Sequence, residues 1–451
     1  MNIKERIKRF LTGESFFKSV LKVGSGNLIG QAIALITAPI LSRIYSDAAY
    51  GDRLIVVSTA AIIMNISTLG LNSAIMKPSE DEEAKRVFTT AALLNLFIST
   101  VVALGCFLLQ KWFHLIEVSG SYFVSLLLLW MYMIAYTAQS LLAIYTNKKG
   151  KYNRLFFNPI IGAAANVLLA IPLGLLGFGY EGFLITAIVS QSISVIHMAW
   201  KNVPLMKGYR WSDFIHVIKT YKEYILFQYP SNFLMNTGNE YPTQFLGRSF
   251  TAEELGSYSM CLNIMKYPIR LIAGPVSTVY FRTATEYHRQ GKNLADFTYN
   301  MIRKILLISF IPVVICCIFS EKIFEFVLGA SWGMAGTIAA IKATEYIMLF
   351  CADCVGYCRV SIGKQKSNLV YAIIKLIVIV AFSVIGYELF HSLMGTILMI
   401  TIGNTLLHIL DMSINFFYLN KKIMWKYCII ALCYVILIGA VLAFKYLYKS
   451  F

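Results

Sequence analysis

The chain has 451 residues, of which 58% are hydrophobic and only 14% charged. Soluble domains carry roughly a quarter charged residues, so a water-facing globular protein is excluded and a bilayer takes the place of water as solvent. The formal net charge of +17 would in a soluble chain suggest nucleic acid; here the basic residues gather at alternate ends of apolar runs and no nucleic-acid-binding motif accompanies them, so no nucleic acid is expected.

The first residues, Met1–Phe10, are basic and are not followed by a short apolar core with a small-residue cleavage site. Residues 1–19 therefore read as a cytoplasmic amphipathic segment leading into a retained first span. Apolar windows then place twelve spans, at 20–44, 52–76, 87–109, 122–146, 156–177, 182–200, 224–246, 255–279, 301–320, 335–358, 369–387 and 393–418. A last apolar run over 428–444 is barely long enough to cross and predicts a thirteenth helix within a C-terminal segment 419–451.

Lys and Arg orient these spans. One set of loops holds Lys148, Lys149, Lys151 and Arg154; Lys201, Lys207, Arg210, Lys219 and Lys222; Arg282, Arg289 and Lys292; Lys364 and Lys366; Lys421, Lys422 and Lys426. The opposite loops hold little beyond Lys111, Arg248 and Lys322. The first set is expected to face the cytoplasm, with the N-terminus on the same side. The widest break, 201–223, is basic and partly amphipathic, which suits a cytoplasmic connector along an anionic inner leaflet.

The connector lies near the midpoint, and three short patterns recur in order on either side of it. Arg43-x-x-Ser46-x4-Gly51 returns as Arg248-x-x-Thr251-x4-Gly256. Lys149-x-Lys151-x-Asn153 returns as Lys364-x-Lys366-x-Asn368, and Gly179-Tyr180-Glu181 as Gly386-Tyr387-Glu388. Six spans separate the copies, so both halves point the same way. The expected fold is all-α and integral to the membrane. It has an N-lobe over 20–200 and a C-lobe over 224–418, six helices each, as a parallel pseudo-repeat around a central lumen. Pro39 in the first span, Pro230, Gly238 and Pro242 in the seventh, and Pro268 and Pro275 in the eighth mark expected helix interruptions. Breaks at matched positions, here the first and seventh spans, point to a transport pathway.

The nine cysteines, Cys106, Cys261, Cys316, Cys317, Cys351, Cys354, Cys358, Cys428 and Cys433, all lie in apolar stretches. They read as small apolar residues. No metal-ligand spacing, nucleophile triad or phosphate-cradling Gly loop is present. No cofactor, metal or enzymatic activity is expected.

The stretch Pro39-Ile-Leu-Ser-Arg43-Ile-Tyr45-Ser46, closing on Gly51 and followed by a second helix and the acidic loop Glu80–Glu83, resembles the start of the bacterial Wzx-type polysaccharide repeat-unit flippases. The Pro that often follows the Ser in that family is absent. Lys266-Tyr-Pro268-Ile-Arg270-Leu-Ile-Ala-Gly274 resembles the family's eighth helix. Gly329-Ala-Ser-Trp332-Gly-Met-Ala-Gly336 resembles an outer loop in which Leu328 departs from the family's Phe. The resemblance covers nearly the whole chain. It implies the multidrug/oligosaccharidyl-lipid/polysaccharide exporter fold and an undecaprenyl-pyrophosphate-linked oligosaccharide as cargo, for O-antigen, capsule or another lipopolysaccharide-type surface polymer. It further implies membrane lipids, polysaccharide polymerase and chain-length machinery as partners.

Ionisable residues within spans cost roughly 2.5–3.5 kcal/mol each on insertion scales, so they mark function or pairing. Lys266 and Arg270, four apart on one helix face, repel each other unless an anion joins them, and a substrate phosphate is such an anion. Lys342 and Lys375 complete the candidate cationic lumen. Glu240, Asp353, His408 and Asp411 are the candidates for coupling to H⁺ or Na⁺. His408 and Asp411 are one turn apart, and Glu345 is one turn from Lys342. Asn65, Asn95, Asn166, Asn236 and Asn404 are candidates to line a polar lumen or bridge helices. The alternatives are an ion-coupled drug or metabolite antiporter, which calls for a carboxylate-centred site, and a membrane glycosyltransferase or polymerase, which calls for longer outer loops than this chain has.

Overall fold

The computed structural model describes residues 3–113, 120–200, 203–364 and 367–449, with side chains over the same ranges except 3–22, 65, 110–113, 227, 278, 448 and 449. Lys201, Lys366 and the side chains of Asn65, Lys111 and the amphipathic segment 1–19 therefore lie outside what is described. No β-strand occurs among the described residues.

The helices run in order: α1 (Ile3–Ile44), α2 (Asp47–Ser67), α3 (Leu71–Ala74), α4 (Asp81–Phe113), α5 (Tyr122–Lys148), α6 (Tyr152–Leu175), α7 (Tyr180–Ala199) and α8 (Trp211–Thr220). A π-helical turn, Tyr224–Gln228, leads into α9 (Tyr229–Ser249) and then α10 (Ala252–Pro268). A second π-helical turn, Ile269–Ala273, joins α10 to α11 (Gly274–Arg289). There follow α12 (Leu294–Leu328), a 3-10 turn Ala330–Trp332, α13 (Gly333–Cys354), α14 (Cys358–Ser361), α15 (Ser367–Phe390), α16 (Leu393–Leu419) and α17 (Lys421–Lys449).

Among the described residues, nine helices are long and apolar enough to cross a membrane: parts of α1 and α4, all of α5, α6, α7, α12, α15 and α16, and most of α17. The chain is a multi-pass membrane protein. The last apolar run is longer than its sequence suggests, an unbroken stretch Lys421–Leu447. Four of the expected spans are not among the nine, and they are the polar ones. α2 carries Asp52 and Arg53, α9 carries Glu240, α13 carries Lys342, Glu345 and Asp353, and the eighth is broken at Pro268. The second expected span is also shorter than its apolar window. α2 stops at Ser67 because Leu69 and Gly70 take left-handed conformations, φ 48° and 77°.

The chain divides into two compact units. One comprises Met1–Ile44 with Thr59–Phe233, the other Tyr45–Ser58 with Leu234–Phe451. α2 belongs to both: its first half packs with the later part of the chain and its second half with the earlier part.

In the first unit α1 lies along α6, α6 along α7, and α5 along both α4 and α7. Gly26 and Gly30, one turn apart, let α1 approach closely; a Cβ on Gly26 would stand 2.2 Å from the carbonyl oxygen of Phe156, and one on Gly30 2.9 Å from that of Pro159. Without a hydrophobic drive between helices in lipid, such small-residue contacts hold them together. α1 runs unbroken through Pro39 and α9 through Pro230, Gly238 and Pro242, so neither the first nor the seventh span is interrupted at the residues expected.

In the second unit α12 packs on α13 and α17, α15 on α16, and α13 on α10 and α16. α13 is buried over most of its length. Gly336 permits its contact with α12: a Cβ there would lie 2.5 Å from Cα of Glu321, and Ser320 Oγ donates to the Gly336 carbonyl at 2.7 Å. The Gly329–Trp332 motif is a turn, with Gly329 at φ 120° and the indole of Trp332 buried edge-on against Tyr50, ring centroids 5.1 Å apart.

The repeated patterns differ in how far they share structure. In the first, a helix ends one residue after the Arg, at Ile44 or Ser249, and the next begins right after the Ser or Thr, at Asp47 or Ala252. Ser46 Oγ accepts from the Ala49 N–H at 3.3 Å, and Thr251 Oγ1 accepts from the Glu254 N–H at 3.3 Å. These are the same N-cap in both halves. The third pattern does not correspond in this way. Gly179 immediately precedes α7, after Gly177 at φ 82° has ended α6, whereas Gly386 lies inside α15, which continues to Phe390.

Candidate functional site

The second unit gathers the intramembrane charges. Its eighth-span segment is not one helix. Pro268 and Pro275 each lack an N–H, and between them the backbone relaxes into the π-helical turn Ile269–Ala273. Such turns inside helices recur at functional sites. Lys266 sits in the last turn of α10 and Arg270 in the π-helical turn. Lys266 is half-buried and Arg270 exposed. Among the described residues, no carboxylate lies within ion-pairing distance of either. Glu240 on α9 is half-buried and acts electrostatically on Lys266 without closing into an ion pair.

Lys342 is placed otherwise. It is 1% exposed, and its ammonium donates to Glu345 Oε2 at 2.5 Å, one turn along α13. The rings of Tyr258 and Tyr346 stand 5.6 Å from it on either side. Asn404 Nδ2 on α16 donates to the other Glu345 oxygen at 3.1 Å. Three helices thus share one neutralised, hydrogen-bonded pair, which meets the requirement that a buried charge be both paired and solvated by protein dipoles. Lys375 on α15 is also buried and donates to Asn239 Oδ1 on α9. Gly238 packs beside it, where a Cβ would meet Lys375 Cγ at 3.5 Å, an ordinary contact.

The expected His408–Asp411 pair does not form. Asp411 instead accepts from Arg359 Nη2 at 2.5 Å, and the guanidinium lies 5.6 Å from the Tyr371 ring. Tyr371 OH in turn donates to the Leu407 carbonyl at 3.2 Å. His408 is buried and makes no hydrogen bond with any described residue. Asp353 is exposed and takes part in no ion pair among the described residues. The aligned spacing of Lys342 and Asp353 along α13 therefore carries no ladder beyond Lys342–Glu345. Asn95 and Asn166 make local and interhelical bonds in the first unit, to Ser99 and Ser190.

Arg359 and Asn239 did not stand out in the sequence. Arg359 is one of many Lys and Arg residues near a span end, and only the return of the chain through α14 brings it to α16. Asn239 differs from the other asparagines only in facing Lys375.

The bundle of apolar helices holds buried ion pairs and, beside a broken helix, the cationic pair Lys266 and Arg270. The chain belongs to the family of polysaccharide biosynthesis proteins, whose pattern matches residues 40–336, and this is the family read from the motifs between Pro39 and Gly336. Among solved structures it is similar to the lipid II flippase MurJ in an inward closed conformation, with a TM-score of 0.67, 11% identity, and coverage of 96% of this chain and 98% of that one. It is also similar to an inward-facing multidrug resistance MATE family transporter of the MOP superfamily, with a TM-score of 0.59, 15% identity, and coverage of 89% and 99%. A MOP superfamily transporter from Pyrococcus furiosus aligns with a TM-score of 0.52 at 14% identity, over 89% of this chain and 95% of that one. At these identities the likeness is one of fold. No curated sequence matches the chain.

Proposed function

We propose that this protein flips undecaprenyl-pyrophosphate-linked oligosaccharide repeat units from the cytoplasmic to the outer leaflet of the bacterial inner membrane, for surface polysaccharide synthesis. Two six-helix lobes alternate access to a polar lumen, the N-terminus is cytoplasmic, and the prenyl tail stays in lipid throughout. The observation that carries this reading is the pair Lys266 and Arg270, which has no carboxylate partner among the described residues. A pyrophosphate supplies the missing counter-charge through charge-assisted hydrogen bonds. Family membership supports the saccharide class of cargo.

In this scheme Lys266 and Arg270 receive the phosphates. Lys342 and Lys375 shape the cationic wall from behind, since each is already bonded to protein. Glu240, beside Lys266, is the leading group for coupling to H⁺ or Na⁺, ahead of Asp353, His408 and the already engaged Asp411. The polysaccharide polymerase and chain-length machinery take over the cargo on the far side.

The test is deletion of the gene in a strain without a redundant flippase. Lipid-linked repeat units should accumulate on the inner leaflet. Their continued appearance at the outer face would overturn the reading.

A further inference from the structure

The last part of the first unit, before α9, carries a surface whose design is not explained by packing. α8 is held on the start of α4, within the first unit, by a dense polar latch. Arg86 Nε lies 2.9 Å from Asp213 Oδ1 in an ion pair, and Arg86 also pairs with Glu83. The second Glu83 oxygen is 3.3 Å from His216 Nε2 and accepts from Tyr221 OH at 3.4 Å. Asp213 also accepts from the Arg210 N–H at 2.8 Å, capping the helix. Upstream, the Met206 N–H donates to Thr89 Oγ1 at 3.0 Å, and Tyr209 OH bonds Thr90 Oγ1 at 2.7 Å. The apolar side of α8, with Val217 and then Tyr221, is sunk in the core of the first unit.

The opposite side is not the polar face that a helix on a soluble surface would show. Trp211 is 72% exposed and stacks on Phe214, and Val203, Leu205 and Ile215 are exposed with it. Interspersed are four exposed cations, Lys207, Arg210, Lys219 and Lys222, none with a carboxylate partner among the described residues. Trp211, Ile215 and Lys219 follow one another at four-residue spacing along a single stripe. The latch withdraws the nearby carboxylates Glu83 and Asp213 from this side by engaging them with Arg86.

We propose that α8 and the segment before it dock on the anionic phospholipid headgroups of the adjoining leaflet, with Trp211 and Ile215 at the acyl boundary and the four cations among the phosphates. Exposed Trp beside unpaired Lys and Arg is the chemistry of an interfacial helix, and charge complementarity selects anionic over zwitterionic lipid. Arg86 is a positioning residue for this surface: without it, two carboxylates are released beside the cations. The inference is independent of what the protein transports.

The test uses the whole protein in nanodiscs made with and without phosphatidylglycerol. Amide exchange over 211–220 should slow about tenfold when the anionic lipid is present and recover in high salt. Lys207→Gln, Arg210→Gln, Lys219→Gln and Lys222→Gln together should erase the difference while exchange in α4 and α5 stays unchanged. The fluorescence lost in Trp211→Phe should be the component quenched by brominated lipid and shielded from aqueous iodide. Equal exchange in both discs, or iodide quenching of Trp211 in anionic discs, would overturn the proposal.

Discussion

Gly51 and Gly256 hold the same position in the two halves of the chain, and each leaves room for the other's helix. A Cβ on Gly51 would stand 2.0 Å from the carbonyl oxygen of Ala252, and a Cβ on Gly256 1.8 Å from that of Asp47. Asp47 and Ala252 are themselves equivalent, so α2 and α10 cross through a local two-fold relation at their identically capped first turns. The contact is backbone on backbone, the closest approach small residues permit.

Gly256→Ala therefore has no flexible neighbour to displace. An exposed helical Gly→Ala change gains about 1 kcal/mol, but here overpacking is expected to cost at least about 2 kcal/mol. Thermal unfolding in detergent should show a lowered midpoint for Gly256→Ala and Gly51→Ala. Gly439→Ala in α17, where nothing lies within 4 Å of the added carbon, should be neutral or stabilising. Equal behaviour of the three variants would contradict the crossing.

Glu345→Gln should destabilise by about 3–5 kcal/mol, because it leaves the buried Lys342 ammonium without its counter-charge. Lys342→Met combined with Glu345→Leu should recover much of that loss, since both charges and their desolvation go together. A double-mutant cycle on unfolding midpoints measures this. Additive effects would show the pair to be uncoupled.

Lys266→Ala with Arg270→Ala is expected to reduce surface polymer at least about tenfold at unchanged protein level, through loss of charge-assisted bonds to the pyrophosphate. Normal polymer in that strain would remove the cationic pair from the transport site. Lys266→Arg keeps the charge and should keep most of the activity.

Asp411→Asn removes the partner of Arg359, a guanidinium that is 7% exposed and already has one buried nitrogen without a hydrogen bond. The expected loss is about 3 kcal/mol. Hydrogen exchange should report it first in α14 and the adjoining end of α16. His408→Gln should leave the same amides unchanged, since His408 does not bond Asp411.

Helical content, membrane class and family were legible because they rest on local signals: long apolar runs, and capping and turn residues such as Ser46, Gly51, Thr251 and Trp332. The Lys342–Glu345 pair was legible too, since one turn of helix joins its members. Three features were not. Pro268 and Pro275 marked an interruption of the eighth span, but its form, a π-helical turn at Ile269–Ala273, depends on how the backbone relaxes between them. The Arg359–Asp411 pair joins residues on separate helices, and a one-turn spacing to His408 offered a nearer, wrong partner. The Lys375–Asn239 bond joins α9 to α15, and nothing local in the sequence points from one residue to the other.

The division of α2 between two units has a consequence for synthesis. Its first turns find their packing partner only in α10, about 200 residues later in the chain. At about 5–20 residues per second on the ribosome, those glycine-opened turns wait roughly 10–40 s for it. The early half of the molecule thus enters the membrane with one helix end unfinished, and whatever holds nascent spans during insertion must shelter that end until the second half arrives.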